Sequence, residues 1–298
     1  MSMTMPVPPL HALVAFEALV RHGTVGRALR ELGVTRAALA GSIALLEERT
    51  GLRLLVRQLP EVELTDEGRA YYDAVAVFAR GTADALHSLG GDYTTEIRIS
   101  ASPGLARLWL VPRLEALRAA CPRVAFTVSA SEALSDLERS ECDIAIRYCH
   151  PEELDGEASV LWAETLGILA PAARAAGFGL RSLPDLLASE PLIEHPSLPW
   201  SRLAQRIGLG ALPREPDLVC HDLYAVLTAC VRGEGLALLP LRLSGGFCER
   251  HGLVPVHGLR LTGKSYVLLY SAGGRARPVV HACARVLMSL ATELQPAV

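Results

Sequence analysis

The stretch VGRALRELGVTRAALAGSIALLE, from Val25 to Glu47, decides the fold of the N-terminal part of the chain. Its opening residues place apolar side chains at helical spacing, and Gly33 supplies the positive φ with which such a helix ends. Thr35 is positioned to cap a second helix, in which apolar residues again recur at helical spacing. Two short helices joined by a tight turn predict a helix-turn-helix.

In this motif the second helix enters the DNA major groove and presents its N-terminal residues to base edges. The outward positions of that helix, together with two following arginines, are candidate DNA contacts: Thr35, Arg36, Ala37, Ala40, Ser42, Arg53 and Arg57. Arg36 begins the helix and is the best placed for a guanine edge. Two alternatives stay open. An alanine-rich helical hairpin without a DNA function has the same spacing, and Arg53 and Arg57 have nearby glutamates with which to pair.

The flanking segments LHALVAFEALV, LLEERTGLRLLVRQ and VELTDEGRAYYDAV extend the pattern. Its defining positions are Leu13 and Phe16, Ala28 to Leu32, Leu46 and Glu47, Gly51 to Leu54, and Leu64 and Thr65 with Gly68. This run resembles the N-terminal domain of the LysR-type transcriptional regulators. The resemblance covers the whole chain, and it implies a winged helix-turn-helix, a linker helix and an effector-binding domain.

The chain departs from the family pattern where DNA would be read. The exposed recognition positions carry arginine, alanine, Gly41 and serine, and the wing carries Pro60, Glu61 and Glu63 beside Arg57. Glycine within a helix costs about 1 kcal/mol relative to alanine, and carboxylates repel phosphates. We therefore expect weak DNA affinity per domain, unusual specificity, or dependence on several subunits that bind together.

A long amphipathic helix is predicted from Asp66 to Leu89, ended by Gly90 and Gly91. Its apolar stripe consists of Tyr71, Val75, Phe78, Ala85 and Leu89. Such a stripe needs a partner surface, which is either its own domain or a second subunit. The resemblance implies the second case, a linker helix that pairs with its copy, and hence a homodimer or a tetramer built from dimers.

After the two glycines, short β-like runs alternate with helical segments, as in EIRIS, VAFTV and DIAIR. This alternation predicts an α/β fold with a largely parallel sheet in two lobes. SASPGLARLWLVPRLEAL, ECDIAIRY and VRGEGLALLP resemble landmarks of the family's effector-binding domain, which shares its two-lobed fold with type 2 periplasmic binding proteins. DIAIRY, Trp200 and CHDLYAVLTACVRGEGLALLP are most similar to the subgroup of glycine-cleavage and β-lactamase regulators.

The predicted organisation has three parts. Residues 1–66 form the winged helix-turn-helix, 67–91 the linker and dimerisation helix, and 92–298 the effector-binding domain. Within that domain, lobe I spans about 92–163 and 266–298, and lobe II about 164–265.

Ligands in such a fold bind between the lobes, where strand ends and helix N-termini converge. The polar residues that follow predicted strands or open helices are Ser100, Ser102, Ser129, Ser131, Arg147, Tyr148, His221 and Asp222. Hydroxyls, a phenol and a cation suit a small, carboxylate-bearing effector. For Ser131 and Asp222 the alternative is a helix cap, and for Arg147 it is a structural role at the hinge.

Other functional classes lack support. Gly258 to Ser265 matches the phosphate-binding pattern G-x-x-x-x-G-K-[ST], but a β-like run follows it where that loop requires a helix. The histidines and cysteines show no metal-ligand spacing, so no metal or cofactor is expected. Cys142 and Cys149 flank DIAIRY and raise thiol sensing as a minor hypothesis against buried, inert thiols.

The N-terminal residues lack the features of a signal peptide, no apolar run is long enough to cross a membrane, and the thiols are scattered. We therefore expect a cytoplasmic protein that does not bind membranes. The sequence predicts a non-enzymatic, LysR-type regulator that binds double-stranded operator DNA and is controlled by a small effector. The alternative is a ligand-binding or protein-interaction module that has lost ordinary operator binding.

Overall fold

The computed structural model describes residues 8–57, 62–88, 95–131, 137, 142–154 and 158–294. The chain forms two compact units. The first contains the described residues up to Thr95 and residues 272–279, and the second contains the remaining described residues.

The first unit is helical and carries a small two-stranded wing. Its elements are α1 (Leu10–His22), α2 (Val25–Leu32), α3 (Arg36–Thr50), β1 (Leu55–Arg57), β2 (Glu63–Leu64) and α4 (Asp66–Ser88). The helices α2 and α3 are those that the opening stretch predicts. Gly33 ends α2 with a φ of 65°, and the Thr35 hydroxyl accepts a hydrogen bond from the Ala38 N–H at the start of α3.

The core of this unit is formed by the predicted apolar faces. Phe16, Ala28, Leu39 and Ile43 are almost completely buried in one cluster. Tyr71 on α4 packs against it, with its ring centroid 6.0 Å from that of Phe16. The side of α4 that carries Tyr71 therefore packs against the core of its own unit.

The turn from the wing into α4 explains the Leu-Thr-x-x-Gly sequence. The Thr65 hydroxyl accepts a hydrogen bond from Gly68 N–H at 2.9 Å and donates one to the Arg53 carbonyl at 2.6 Å. A Cβ at Gly68 would lie 1.9 Å from the Leu54 carbonyl oxygen. Glycine is therefore required at position 68, where α4 passes close to the turn that follows α3.

Farther along α4, two more residues of the predicted apolar stripe are described, and they differ in exposure. Val75 is buried, whereas Phe78 is 51% exposed. The Ala85 side chain and Leu89, Gly90 and Gly91 lie outside the described residues. At Phe78 the helix therefore presents an apolar ring to solvent.

The second unit is built on an eight-stranded sheet among the described residues, in the order β4-β3-β5-β10-β6-β9-β7-β8. The strands are β3 (Thr95–Ala101), β4 (Val124–Ala130), β5 (Ile144–Cys149), β6 (Ala158–Pro171), β7 (Leu192–Glu194), β8 (Leu218–Val219), β9 (Leu236–Pro240) and β10 (Leu253–Tyr270). The prediction of a largely parallel sheet was wrong in this respect: the sheet is mixed. The pairs β3–β5, β7–β8 and β7–β9 are parallel, but β10 is antiparallel to both β5 and β6.

Helical segments connect these strands. They are α5 (Pro103–Leu105), a π-helix (Ala106–Leu110), a 3-10 helix (Val111–Arg113), α6 (Leu114–Ala120), a 3-10 helix (Pro151–Glu153), α7 (Ala172–Ala175), α8 (Leu183–Ser189), α9 (Trp200–Arg206), α10 (Leu223–Val231), α11 (Leu241–His251), α12 (Ala272–Arg275) and α13 (Pro278–Thr292). The segment from Leu105 to Ala120 is helical throughout. It changes its hydrogen-bond pattern around Pro112, because proline has no N–H to donate.

By the predicted lobe bounds, the two long strands β6 and β10 each pass from one lobe to the other, and we refer to them as the hinge strands. Their pairing shifts register between Val256 and Leu261 and again between Thr262 and Ser265. His257 and Gly258 have φ values of 63° and 59° at the first irregularity. The phosphate-loop-like segment Gly258 to Ser265 therefore lies within β10, and the β-like run predicted after it continues the same strand to Tyr270.

A buried carboxylate ties the hinge to lobe II. Glu164 on β6 is 2% exposed and accepts hydrogen bonds from the backbone N–H groups of Arg242 (2.8 Å) and Leu243 (3.1 Å). It also accepts one from Trp162 Nε1 at 3.1 Å. Burial raises the pKa of Glu164, and the N–H donors oppose that shift. This side chain satisfies the first amides of α11, which has no side-chain cap of its own.

Candidate functional site

The outer face of α3 begins with an exposed cation. Arg36 follows the Thr35 cap directly, and Arg36, Ala37 and Ala40 are exposed. Ser42 is half-buried, and its hydroxyl donates a hydrogen bond to the Ala38 carbonyl at 3.0 Å. Of the predicted contacts on α3, Arg36 therefore offers the longest reach and the only charge.

Gly41 lies in the middle of this face. It is exposed, and a Cβ built at this position meets no atom within 4 Å. Nothing in the described unit requires glycine here, so its effect is to remove a side chain from the outer face.

The turn after α3 places Arg53 in solvent. The Glu47 carboxylate accepts hydrogen bonds from the backbone N–H groups of Leu54 (2.7 Å) and Leu55 (3.2 Å). Among the described residues, Arg53 forms no ion pair, so the alternative of pairing with Glu47 finds no support. Arg57 pairs in register with Glu63 in the wing. The Arg57 side chain and residues 58–61, with Pro60 and Glu61, lie outside the described residues.

A second charged cluster joins α1 to α2, away from this face. Arg21 forms ion pairs with Glu17 (2.8 Å) and Glu31, and His22 also contacts Glu31. Hydrogen bonding to Arg21 holds the pKa of Glu31 below its ordinary value. These cations neutralise carboxylates of their own unit and are not free for phosphates.

A pocket of about 170 Å³ lies between the two lobes of the second unit. We refer to it as the inner pocket, and its described lining residues are Ser102, Gly104, Arg147, Tyr148, Cys149, His195, Ser197, Leu198, Leu223, Pro240 and Tyr266. The first five belong to lobe I, Tyr266 to the hinge strand and the others to lobe II. No aspartate or glutamate is among these lining residues.

The cation of the inner pocket is fixed in place. Arg147 is 4% exposed; its Nη2 donates to Ser100 Oγ at 2.7 Å, and its Nη1 donates to the carbonyls of Ser100 (3.0 Å) and Ile146 (3.1 Å). The Ser100 hydroxyl therefore holds Arg147 and does not line the pocket itself. Charge-assisted hydrogen bonds of this kind fix the orientation of a guanidinium.

Tyr148 and His195 add polar groups of defined character. The Tyr148 oxygen accepts a hydrogen bond from Lys264 N–H at 3.0 Å, and burial raises the pKa of Tyr148 to about 12. The phenol therefore keeps its proton at neutral pH. His195 Nδ1 accepts a hydrogen bond from Ser197 N–H at 3.2 Å, which places the proton of the neutral ring on Nε2.

A row of tilted aromatic rings extends from the pocket wall into the core. Tyr266 lies 5.0 Å from Tyr148 and 4.7 Å from Trp162, and Trp162 lies 5.3 Å from Trp109, all between ring centroids. Gly263 allows this arrangement, because a Cβ there would lie 2.7 Å from the Tyr148 hydroxyl.

The structure brings together only part of the predicted effector set. Ser102, Arg147 and Tyr148 line the inner pocket, and Ser100 supports Arg147. Ser129, Ser131, His221 and Asp222 are not among the described residues that line it. Ser131 donates its backbone N–H to the Ala101 carbonyl, and Ser129 and His221 are exposed.

Asp222 has two structural contacts at the mouth of the cleft. It accepts a hydrogen bond from Tyr224 N–H at 3.0 Å and so caps α10, as the alternative interpretation predicts. Its carboxylate also pairs with Arg107 of lobe I at 2.9 Å. The Arg107 guanidinium lies 5.4 Å from the centre of the Tyr224 ring. This pair links the two lobes next to the inner pocket.

Sequence reasoning missed the lobe II wall formed by His195, Ser197 and Leu198. These residues follow the strand β7, so the strand-end argument that selected Arg147 and Tyr148 applies to them equally.

Cys142 is buried, and burial raises the pKa of Cys149 above its ordinary value. A raised pKa lowers the thiolate fraction, which disfavours thiol sensing at this position. Within the described part of the chain, no group of three or more histidine, cysteine or acidic residues is arranged to hold a metal ion.

Comparison with known proteins agrees with this geometry. Residues 10–69 match the family model of the bacterial regulatory helix-turn-helix protein, LysR family, and residues 90–291 match the LysR substrate binding domain. The chain belongs to the LysR family of transcriptional regulators. It is therefore a DNA-binding regulator with an effector-binding domain, and not an enzyme.

Individual LysR-type relatives extend over most of the chain. The glycine cleavage system transcriptional activator of Escherichia coli (strain K12) is 29% identical over 79% of this chain and 78% of its own length. The transcriptional activator AmpR of Pseudomonas aeruginosa is 33% identical over 80% of each chain. Full-length LysG from Corynebacterium glutamicum, solved with bound effector Arg, has a TM-score of 0.65 at 16% identity and covers 96% of this chain and 99% of its own.

Among the described helices of this LysR-type regulator, none has both the length and the apolar character needed to cross a membrane.

Proposed function

We propose that this regulator reads operator DNA with α3, and that Arg36 makes the principal base contact. The exposed position of Arg36, directly after the Thr35 cap, carries this assignment. Residues at the N-terminus of a recognition helix reach base edges, and arginine is the usual bidentate partner of guanine. Thr35, Ala37, Ala40 and Ser42 approach the groove around it, and Arg53 and Arg57 contact phosphates.

Assembly compensates for a weak individual domain. The charges of residues 1–68 are nearly balanced, and carboxylates accompany the wing. Binding through two or more domains multiplies the local concentration of the second site after the first has bound. We assign residues 1–66 to DNA binding, 67–91 to dimerisation through α4, and 92–298 to the effector domain; dimers or tetramers of this chain act on bacterial DNA in the cytoplasm.

The inner pocket takes a small carboxylate-bearing effector. Arg147 supplies a fixed positive charge, Tyr148 supplies a phenol that is protonated at neutral pH, and no carboxylate is among the described residues that line the pocket. LysG, which has the same fold, was solved with bound effector Arg, a molecule that carries a carboxylate. Both lobes line the pocket here, so an effector that contacts both changes the preferred angle between them.

The operator proposal is tested by binding of the full-length protein to its own upstream intergenic DNA across a salt series. Arg36→Ala should lower specific affinity at least about tenfold, as the loss of a bidentate guanine contact implies. Arg49→Ala is the matched control, because Arg49 is exposed in the last turn of the same helix. Equal effects of both substitutions would contradict a base contact at Arg36. Absence of specific binding by a folded dimer would instead favour the module without operator binding.

The effector proposal is tested by thermal-shift titration with small mono- and dicarboxylates and with their uncharged methyl esters. A carboxylate that stabilises the protein should lose this effect as an ester, and Tyr148→Phe should weaken its binding without unfolding the protein. Stabilisation by esters as strong as that by acids would contradict an anionic effector.

A further inference from the structure

A second, larger cavity of about 660 Å³ lies beside the inner pocket, against the hinge strands. We refer to it as the hinge pocket. It is bounded by His150–Glu153 after β5, by residues 197–199 with α9, and by Leu261–Ser265 of β10. Tyr148, Ser197 and Leu198 line both cavities, so they form the shared wall. The effector set predicted from the sequence includes only Tyr148 from this cavity.

Charged side chains of both signs line the hinge pocket, and they are separated by lobe. Arg202 and Arg206 on α9 and Lys264 on β10 bring positive charge from lobe II and the hinge. Glu152 and Glu153 bring negative charge from lobe I. Both glutamates and both arginines are exposed, so the pocket is open to water.

These opposite charges do not neutralise one another. Within the described part of the chain, no ion pair joins either glutamate to Arg202, Arg206 or Lys264. Arg206 is held to the hinge instead, since its Nη1 donates to the Thr262 carbonyl at 2.7 Å. Glu152 instead lies near His150, another lining residue, with 3.5 Å between its carboxylate and His150 Nδ1. The two glutamates and the three cations therefore line one cavity without pairing with each other among the described residues.

The surface between the charged groups is apolar. Leu166, Leu203 and Leu238 are buried residues that reach this cavity, and Leu261 lines it from β10. An apolar floor with charges of opposite sign on two walls suits a ligand whose own charges lie at opposite ends of an apolar body.

We propose that the hinge pocket is a second ligand site, distinct from the inner pocket, for a zwitterion with a carboxylate and an ammonium group at the two ends of an apolar chain. The carboxylate binds Arg202 and Lys264, and the ammonium group binds Glu152 and Glu153. Such a ligand contacts both lobes and the hinge strand, so its occupancy restricts the angle between the lobes. Only this last consequence rests on the proposed regulatory function.

The test uses three probes of equal length: aminohexanoate with its terminal ammonium group, hexanoate without it, and hexylamine without the carboxylate. The butyl and octyl homologues of each probe cover other spacings. Binding to the full-length protein is measured by calorimetry and ligand-observed NMR. The zwitterion of the preferred length should bind about tenfold more tightly than either single-charge probe, because each charged contact adds affinity.

Substitutions then assign the two ends. Arg202→Met with Lys264→Met keeps the apolar stems and should abolish binding of the zwitterion and of hexanoate. Glu152→Gln with Glu153→Gln should remove the preference for the zwitterion over hexanoate while hexanoate still binds. Arg118→Met and Glu115→Gln, exposed on α6 outside the pocket, are the controls and should change neither affinity.

The proposal is overturned if the zwitterion binds no more tightly than the single-charge probes at every chain length. It is also overturned if binding is insensitive to the arginine and lysine substitutions. The titration contains no DNA, so a failure of operator binding leaves it interpretable. Competition with a carboxylate whose binding is weakened by Ser102→Ala separates the two cavities, because Ser102 lines only the inner pocket among the described residues. The probe and that carboxylate should bind simultaneously, and mutual exclusion would overturn a separate site.

Discussion

The outer face of α3 and the inner pocket place their key arginines in opposite environments. Arg36 is exposed and has no hydrogen bond that holds its side chain among the described residues. Arg147 is buried and donates three hydrogen bonds to Ser100 and Ile146. A substitution at Arg36 should therefore cost little stability, whereas a substitution at Arg147 also removes buried hydrogen bonds.

Replacement of the buried arginine should have the largest effect. Arg147→Met removes three buried hydrogen bonds to Ser100 and Ile146, so we expect a loss of about 2–4 kcal/mol in the free energy of unfolding. Urea denaturation of the full-length protein measures it. Arg36→Ala is the control and should stay within about 0.5 kcal/mol of the parent, as exposed substitutions do. Similar losses in both variants would remove the distinction between the two regions.

Glu164 extends the comparison to a buried group of negative charge. Glu164→Gln replaces one acceptor oxygen by an amide that cannot accept from the first N–H groups of α11, so we expect a loss of about 2 kcal/mol at low pH. Burial raises the pKa of Glu164 in the folded protein, so its contribution is complete below the ordinary glutamate pKa and declines as pH rises through the folded value.

The difference in the free energy of unfolding between the parent and Glu164→Gln should therefore narrow as pH rises above the ordinary pKa of glutamate. Denaturation curves across this range measure it. A difference that widens with pH would show that the N–H donors lower the pKa of Glu164 by more than burial raises it.

In contrast to the buried Arg147 and Glu164, Gly41 lies on the exposed face of α3, where a substitution should add stability. Alanine fits without contact within 4 Å, so Gly41→Ala should stabilise the first unit by about 1 kcal/mol. Thermal denaturation measures this gain, with Ala44→Gly as the reciprocal change one turn along the same exposed face. A destabilised Gly41→Ala variant would indicate a contact that the isolated chain does not make.

The Arg107–Asp222 pair should have the smallest effect. The Arg107 and Asp222 side chains are 57% and 30% exposed, so their coupling energy in a double-mutant cycle should lie within about 0.2–1 kcal/mol. Asp222→Asn keeps an acceptor for the α10 cap and removes the charge. Combined with Arg107→Ala, it isolates the link between lobes. A coupling energy near zero would mean that the pair does not hold the cleft.

Local features followed from the sequence more readily than the site did. The helix-turn-helix was predictable because both helices carry apolar residues at helical spacing, Gly33 ends the first helix and Thr35 caps the second. Arg147 and Tyr148 were predictable because they end a strand. The mixed direction of the sheet was not, since β10 joins β5 and β6 only after the chain has passed through lobe II.

The roles of Glu164 and the hinge glycines were equally hidden from the sequence. Glu164 caps a helix that begins far along the chain, and Gly263 is explained by the position of the Tyr148 hydroxyl. Ser129 and His221 satisfied the strand-end and helix-start rules as well as Ser102 does. Only the packing of the lobes distinguishes them, and local spacing contains no information about it.

The irregular pairing of β6 with β10 makes the effector domain mechanically compliant at one place. Regular ladders flank the register shifts: Val254 and Val256 pair with Ala170 and Ile168 on one side, and Leu268 with Ser159 on the other. A bending load applied to the lobes concentrates where the ladder is interrupted, since fewer backbone hydrogen bonds resist it there. Rotation of one lobe against the other should therefore change backbone geometry mainly at the register shifts of β6 and β10, and little in the core of either lobe.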